Sequence, residues 1–435
     1  MPLGGEKFAR QVAFLFQGQV LFAASQIAVL LLLVAFGSDE QAGKEQSGIY
    51  VLALATTAPL YLFFDLNLRV VRSTDQSHDE VFLSYLGLRI CCLLIATVIC
   101  VALCGIWYPH RFGIFIAIMG FRVSESLSNL CFGEFQRAQQ SDRVGKSLSF
   151  KGPISIVLIS LVAFLSSGSA VMVGFTMAAV SISFSLFFDL PRAWRIGNPE
   201  TSISAGKIVS AMTDVKANVR IAKRALPLGF DACVSSLALN MPVYFIEATL
   251  GTATVGVFGV LMKLAYSIQI FVGAIGHTGV SVLAKLREEE KREQFWRLFS
   301  RMLVTSFGVG SLAVVGGTLI LPWLLGLVFG AQFNQPILLM TLLVASCLTG
   351  SQRIAGRATQ ACGSYLAYTV FDVIIFLSSA IASWVLIAQF ELVGAGIALT
   401  VAFAVGLVVT LIHTRFLLWP ANVRDASSRK KGSTA

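Results

Sequence analysis

About twelve apolar runs, each roughly 20 residues long, follow one another through this 435-residue chain with only short charged clusters between them. A helix rises about 1.5 Å per residue, so each run is long enough to cross the hydrocarbon core of a bilayer. In lipid a helix satisfies its own backbone hydrogen bonds, which an open strand cannot do. Composition agrees: 56% of residues are hydrophobic and only 13% charged, against roughly 25% charged in soluble domains. The spacing predicts helices over residues 12–36, 47–66, 82–106, 112–133, 148–166 and 171–190. A second set is predicted over 226–250, 254–283, 302–321, 335–357, 366–388 and 393–417. The fold class is therefore an all-α polytopic membrane protein.

Orientation follows from the basic residues. One set of loops carries Arg69 and Arg72, then Arg137, Arg143, Lys146 and Lys151, then Arg192 through Arg224, then the run from Lys285 to Arg301. The alternate loops carry only Lys44 and Arg111. The positive-inside rule then places both ends of this multi-pass chain in the cytoplasm. The net charge of +10 is read as the sum of these topology-setting cations touching anionic lipid, and not as a nucleic-acid surface. Lys7 and Arg10 precede the first run as in a signal peptide. That run is too long for a signal h-region, and no small-residue cleavage site follows, so it is expected to stay as the first helix. The eight cysteines fall within or at the ends of helices and lack zinc spacing, which argues against a disulfide framework or a structural metal.

Residues 1–190 and 226–417 each hold six predicted helices, joined by a polar, cation-rich connector at 191–225 and followed by a tail at 418–435. The halves are faintly self-similar. Ser47-Gly48-Ile49-Tyr50 opens the second helix and Val255-Gly256-Val257-Phe258 the eighth; Arg137-Ala138-Gln139-Gln140 follows the fourth and Arg357-Ala358-Thr359-Gln360 the tenth. An even number of helices per half makes the repeats parallel, an arrangement used by transporters. The external loops are too short to fold a soluble domain, which disfavours an enzyme with its active site outside the membrane.

Enzyme motifs are absent. Gly145-Lys146-Ser147 resembles the end of a phosphate loop, but Gln140 stands where the first glycine belongs. The informative residues are charges within helices, since a charge at the bilayer centre costs several kcal/mol and normally faces a cavity or a partner. Arg122 and Glu125 lie three apart near the middle of the fourth helix, either as a self-neutralising pair or as a cavity cation with its resting counter-ion. Lys263 lies about ten residues, or roughly 15 Å, into the eighth helix, with no acid one turn away. It is read as a cavity-facing cation in preference to a snorkelling one. Arg353 and Arg357 form one basic face of the tenth helix, suited to phosphate or to lipid headgroups. Arg89 is read as a snorkelling cation. Asp231 stands in a helix marked by Pro227, Gly229 and Pro242, where irregular backbone and a carboxylate could hold a coupling ion; a helix-end carboxylate bonded to nearby cations is the alternative. The depth charges lean cationic, which suits an anionic substrate.

Four stretches carry a family resemblance: Ser47 to Leu68 with its Phe64-Asp65-Leu66-Asn67-Leu68 end; Ala225-Leu226-Pro227-Leu228-Gly229; Leu250-Gly251 through Met262-Lys263-Leu264; and Arg357-Ala358-Thr359-Gln360 with Val393-Gly394-Ala395-Gly396-Ile397-Ala398. In order and spacing they resemble the Wzx-type polysaccharide flippases of the multidrug/oligosaccharidyl-lipid/polysaccharide exporter superfamily. The resemblance implies a MATE-like fold of two six-helix lobes around a central cationic cavity. It also implies translocation of an undecaprenyl-pyrophosphate-linked oligosaccharide from the cytoplasmic to the periplasmic leaflet, for O-antigen, capsule or exopolysaccharide. Alternating access would be driven by a proton or sodium gradient, with no other cofactor. The implied partners are the lipid-linked oligosaccharide and the bilayer, with a polysaccharide polymerase complex as a further one. Of the candidate residues, only Lys263 and Arg357 sit inside matching motifs. The chain lacks the thirteenth and fourteenth helices of the MurJ-type flippases, and its first helix has no acid of the kind expected of drug exporters. The rival readings are a cation-coupled multidrug exporter of the same superfamily and a membrane polysaccharide polymerase or assembly component.

Overall fold

Each apolar run in the described residues is helical, and no strand occurs among them. The computed structural model describes residues 5–74, 81–197, 204–361 and 365–416. The helices are α1 (Gly5–Ala35), α2 (Glu40–Asp65), α3 (Leu68–Thr74), α4 (Phe82–Trp107), α5 (Phe112–Arg137), α6 (Ser141–Leu165), α7 (Ala170–Ser183), α8 (Leu190–Gly197) and α9 (Ala205–Thr213). They continue as α10 (Val215–Leu250), α11 (Thr252–Tyr266), α12 (Gln269–Glu288), α13 (Arg292–Phe329), α14 (Pro336–Ala361) and α15 (Tyr365–Phe416). A π-helical stretch, Phe184–Asp189, joins α7 to α8.

Ten of the described helices are long and apolar enough to cross a membrane. Two departures from the predicted spans bring the crossings to about twelve. The last long element turns at Glu391, whose φ of 48° and ψ of −128° break the helix, so it crosses twice. The predicted helix over 254–283 is interrupted at Ser267 and Ile268. The 15-residue α11 rises only about 22 Å, too little to span alone, and α12 follows it after the break. The protein is thus multi-pass.

The chain forms two compact units, Met1–Leu264 and Ala265–Ala435. This division falls inside α11 and not at the connector 191–225, which is itself largely helical: α8, α9 and the first turns of α10 occupy it. Ala193 and Trp194 of α8 are buried in the core of the first unit, alongside Phe82, Tyr85 and Phe135. The tail at 418–435 lies outside the described residues.

Lipid tails are as apolar as leucine, so helices in a membrane associate through close packing of small residues and polar contacts. The first unit is built this way. Gly18 of α1 meets the backbone of Gly145 in α6, and a Cβ on Gly152 would sit 2.7 Å from the Leu21 carbonyl oxygen. Gly145, which resembled part of a phosphate loop, is therefore a helix-packing residue. Gly48 of α2 and Gly256 of α11, the equivalent glycines of the two repeated motifs, face one another: Gly48 meets the Thr252 carbonyl, Gly256 the Lys44 carbonyl.

Buried ion pairs hold α2, α3, α4 and α5 together. Arg89 Nη1 donates to Asp65 Oδ1 at 2.5 Å, to the Asp65 carbonyl at 2.8 Å and to Ser126 Oγ at 2.7 Å. Arg89 is fully buried, so the snorkelling expectation is corrected: its carboxylate partner removes any need to reach the headgroups. Arg72, expected as a loop cation, is likewise buried. Its Nε donates to Glu134 Oε2 at 2.5 Å and its guanidinium lies 5.0 Å from the Tyr85 ring centroid.

In the second unit α14 is the central helix, with Leu338, Leu339, Leu342, Ile354, Ala355 and Ala358 buried. The core continues through Val272 of α12, Phe295, Phe299 and Met302 of α13, and Leu407 of α15. Past the Glu391 turn, Gly394 packs directly on the Leu386 carbonyl, an approach that any Cβ would block.

Candidate substrate-binding site

The first unit gathers several membrane-depth charges around Glu125. Arg122 and Glu125 are one helical turn apart on α5, and Arg122 Nη1 donates to Glu125 Oε2 at 3.1 Å. Nη2 of the same guanidinium donates to the Leu54 carbonyl of α2 at 3.1 Å, while Nε is buried without a hydrogen-bond partner. Lys263 of α11 is exposed, and its ammonium lies within electrostatic reach of both Arg122 and Glu125. Sequence reading placed these three at depth and left open whether they meet; the fold brings them together.

Three members of the cluster, Lys151, Tyr50 and Asp189, were not anticipated. Lys151 was assigned to a cytoplasmic loop, but α6 begins at Ser141 and carries Lys151 ten residues inward. It is 2% exposed, with its amine 5.1 Å from the Phe22 ring centroid and 6.0 Å from that of Phe121, and it feels the charges of Glu125 and Asp189. Only its neighbours explain such burial of an ammonium: two aromatic faces and two carboxylates. Tyr50, the last residue of the first repeated motif, buries a hydroxyl with no hydrogen-bond partner near Arg122 and Glu125. Asp189 closes the π-helical stretch, fully buried, with Oδ2 accepting from Ser128 Oγ at 2.9 Å. Ser128 in turn bonds Ser185 at 2.6 Å. Three cations thus share two carboxylates, leaving an excess of positive charge that an anion could neutralise. One counter-ion, Glu125, is bonded to a guanidinium that a phosphate would also suit.

The other candidates lie apart from this cluster. Asp231 is half-buried on α10, which runs as one helix through Pro227 and Pro242. Arg353 and Arg357 belong to the second unit. Arg353 is exposed; Arg357 is half-buried and donates from Nη1 to the Gly273 carbonyl of α12 at 3.3 Å.

Just before α5, Arg111 donates to Glu247 Oε1 and to Thr252 Oγ1, both at 2.8 Å, and Thr252 donates to Glu247 at 2.9 Å. This triad ties the start of α5 to the α10–α11 turn. Among the described residues no cluster of three or more metal-ligating side chains occurs.

No family model matches the chain. It is similar, at 22% identity over 401 residues, to the capsular polysaccharide biosynthesis protein CapF of Staphylococcus aureus, with 91% of this chain and 96% of that protein covered. Among solved structures it resembles an outward-facing multidrug resistance MATE family transporter of the MOP superfamily (TM-score 0.63, 15% identity, 98% of this chain and 96% of that one). An inward-facing structure of a transporter so described matches with a TM-score of 0.62 at 14% identity, again over 98% and 96%. A Vibrio cholerae MATE transporter matches with a TM-score of 0.61 at 11% identity, over 94% of this chain and 97% of that one. The chain is a polytopic membrane protein whose fold is the one seen in these MATE transporter structures. In sequence it is similar to a protein of capsular polysaccharide biosynthesis.

Proposed function

We propose that this protein is a flippase that moves an undecaprenyl-pyrophosphate-linked oligosaccharide from the cytoplasmic to the periplasmic leaflet of a bacterial inner membrane, for assembly of a surface polysaccharide. Its termini are cytoplasmic, and it is a transporter and not an enzyme. The observation that carries this reading is the Arg122–Glu125–Lys263 cluster with buried Lys151 behind it. A site rich in membrane-depth cations is costly to keep, and is repaid when an anion enters it. The pyrophosphate displaces Glu125 from Arg122, and Lys263, the exposed member, is the first to meet it. The similarity to CapF supports a polysaccharide precursor as the cargo. Arg353 and Arg357 supply further cations in the second unit. Glu125, freed from Arg122, and Asp231 are the carboxylates that exchange a proton or sodium ion with the gradient. A polysaccharide polymerase complex would take up the product.

The test is flipping of a labelled polyprenyl-pyrophosphate oligosaccharide in proteoliposomes. Lys263→Ala and Arg122→Ala, each folded and inserted, should lose at least tenfold in rate. The fold likeness to multidrug resistance transporters favours a second reading, export of a cationic drug. Export of a cationic dye without flipping of any lipid-linked sugar would replace the first reading with the second.

A further inference from the structure

A second basic site lies elsewhere, in the second unit. A cavity of about 610 Å³ is lined by Arg292, Glu293, Trp296 and Arg297 at the start of α13 and by Arg415 at the end of α15. Arg292, Arg297 and Arg415 have no carboxylate partner among the described residues, although Glu293 lines the same cavity. Three guanidinium groups facing one acid leave a local excess of positive charge. Trp296 forms the wall: the Arg415 guanidinium lies 5.7 Å from its ring centroid, and its buried indole N–H has no hydrogen-bond partner. Guanidinium groups grip phosphate oxygens in a fork, and the free indole N–H adds a donor for one more oxygen.

The flanking surface says what kind of phosphate fits. Val304 stands seven residues beyond Arg297 on α13 and is 70% exposed. Ile412 and Val408 stand three and seven residues before Arg415 on α15, at 53% and 55% exposed. Residues three, four or seven apart share a helix face, so from the basic cavity an exposed apolar lane leads along both helices toward the membrane interior. A soluble anion has no use for that lane; an acyl chain does. Basic pockets between membrane helices at the cytoplasmic face are where anionic lipid headgroups are held.

We infer that this cavity is a binding site for an anionic glycerophospholipid of the cytoplasmic leaflet, its phosphate held by Arg292, Arg297 and Arg415 and its acyl chains lying along α13 and α15. It is separate from the transport cations and does not depend on the identity of the cargo.

The test is native mass spectrometry of the full chain in detergent, titrated with dioleoyl phosphatidylglycerol, dioleoyl phosphatidylcholine or inorganic phosphate. The wild type should show a saturable phosphatidylglycerol adduct that phosphatidylcholine does not form. The triple variant Arg292→Gln, Arg297→Gln, Arg415→Gln should weaken it by ~100-fold, since each cation near the surface contributes roughly fivefold. Trp296→Phe, which keeps the ring and removes the N–H, should weaken it severalfold while the protein stays monodisperse. A charge-matched control, Lys223→Gln, Arg224→Gln, Arg301→Gln, removes three exposed cations outside the cavity and should bind as wild type. Equal binding by the cavity variant and wild type, or equal weakening in the control, would overturn the site. Full displacement by millimolar inorganic phosphate would overturn its assignment to a lipid.

Discussion

Removing the carboxylate of Asp65 should be among the most damaging single changes in the first unit. Its Oδ1 accepts from Arg89 Nη1 at 2.5 Å and from Ser126 Oγ at 2.5 Å. Arg89 is completely buried, and its Nε and Nη2 already lack hydrogen-bond partners. With Asp65→Ala, Nη1 keeps only the Asp65 carbonyl and Ser126, neither of which carries charge. Leaving one member of a buried pair uncompensated costs about 3–5 kcal/mol. The hydrogen bonds give a consistent figure, since those to a charged group contribute about 1.5–3 kcal/mol each and two are lost. That raises the unfolded fraction by roughly two to three and a half powers of ten.

The assay is reversible unfolding in SDS mixed micelles, followed by tryptophan fluorescence, for wild type, Asp65→Ala, Arg89→Met and the double variant Asp65→Leu/Arg89→Met. The pair brings desolvation costs of its own, so replacing both by apolar residues should recover most of the loss and could exceed wild type by about 1–4 kcal/mol. If Asp65→Ala unfolds within about 1 kcal/mol of wild type, Arg89 has found water or lipid phosphate, and its assignment as a buried, paired cation is wrong. If the double variant is as unstable as the single one, the carboxylate acts by its shape and not by its charge.

Two further outcomes follow from close contacts. Gly48→Leu places a side chain against the Thr252 carbonyl, so the α2–α11 contact must open; cysteine cross-linking between Ser47 and Val255 variants should fall severalfold while the spans still insert. Lys151→Met keeps the stem between Phe22 and Phe121 and removes the buried charge, so stability in the micelle assay should be unchanged or raised, while flipping in proteoliposomes drops at least tenfold. Parallel loss of both would make Lys151 a structural residue only.

What could be read from the chain and what could not divide along a physical line. Apolar runs report helices because lipid demands them, and the turn at Glu391 was visible as the polar gap between the last two runs. The break at Ser267 was not. Neither Gly nor Pro stands there, and tertiary bonds flank it: Gln269 donates to the Ser346 carbonyl at 2.5 Å and the Tyr266 hydroxyl meets Thr349 at 3.3 Å. Charge pairs within one turn, such as Arg122 and Glu125, are legible because helix geometry fixes their distance. Arg89 and Asp65 are 24 residues apart, and Arg72 and Glu134 are 62 apart, so nothing periodic announces them.

The positive-inside rule made this worse in one instructive way. It counts cations near helix ends without asking which way each side chain points, so Lys151 and Arg72 were absorbed as topology signals. Both are buried, and both have company a sequence pattern cannot display: Phe22, Phe121 and the charges of Glu125 and Asp189 for one, Glu134 and Tyr85 for the other. The two outcomes differ in consequence. Arg72 donates a close, charge-assisted bond to a carboxylate as buried as itself, which leaves it little to offer a substrate. Lys151 has aromatic faces and shared carboxylates but no ion pair of its own, so its charge stays incompletely matched. A cation kept in that condition inside a membrane helix lowers its energy when an anion approaches. That difference, and not depth alone, separates the cations that hold this fold together from those we propose to bind the anionic cargo.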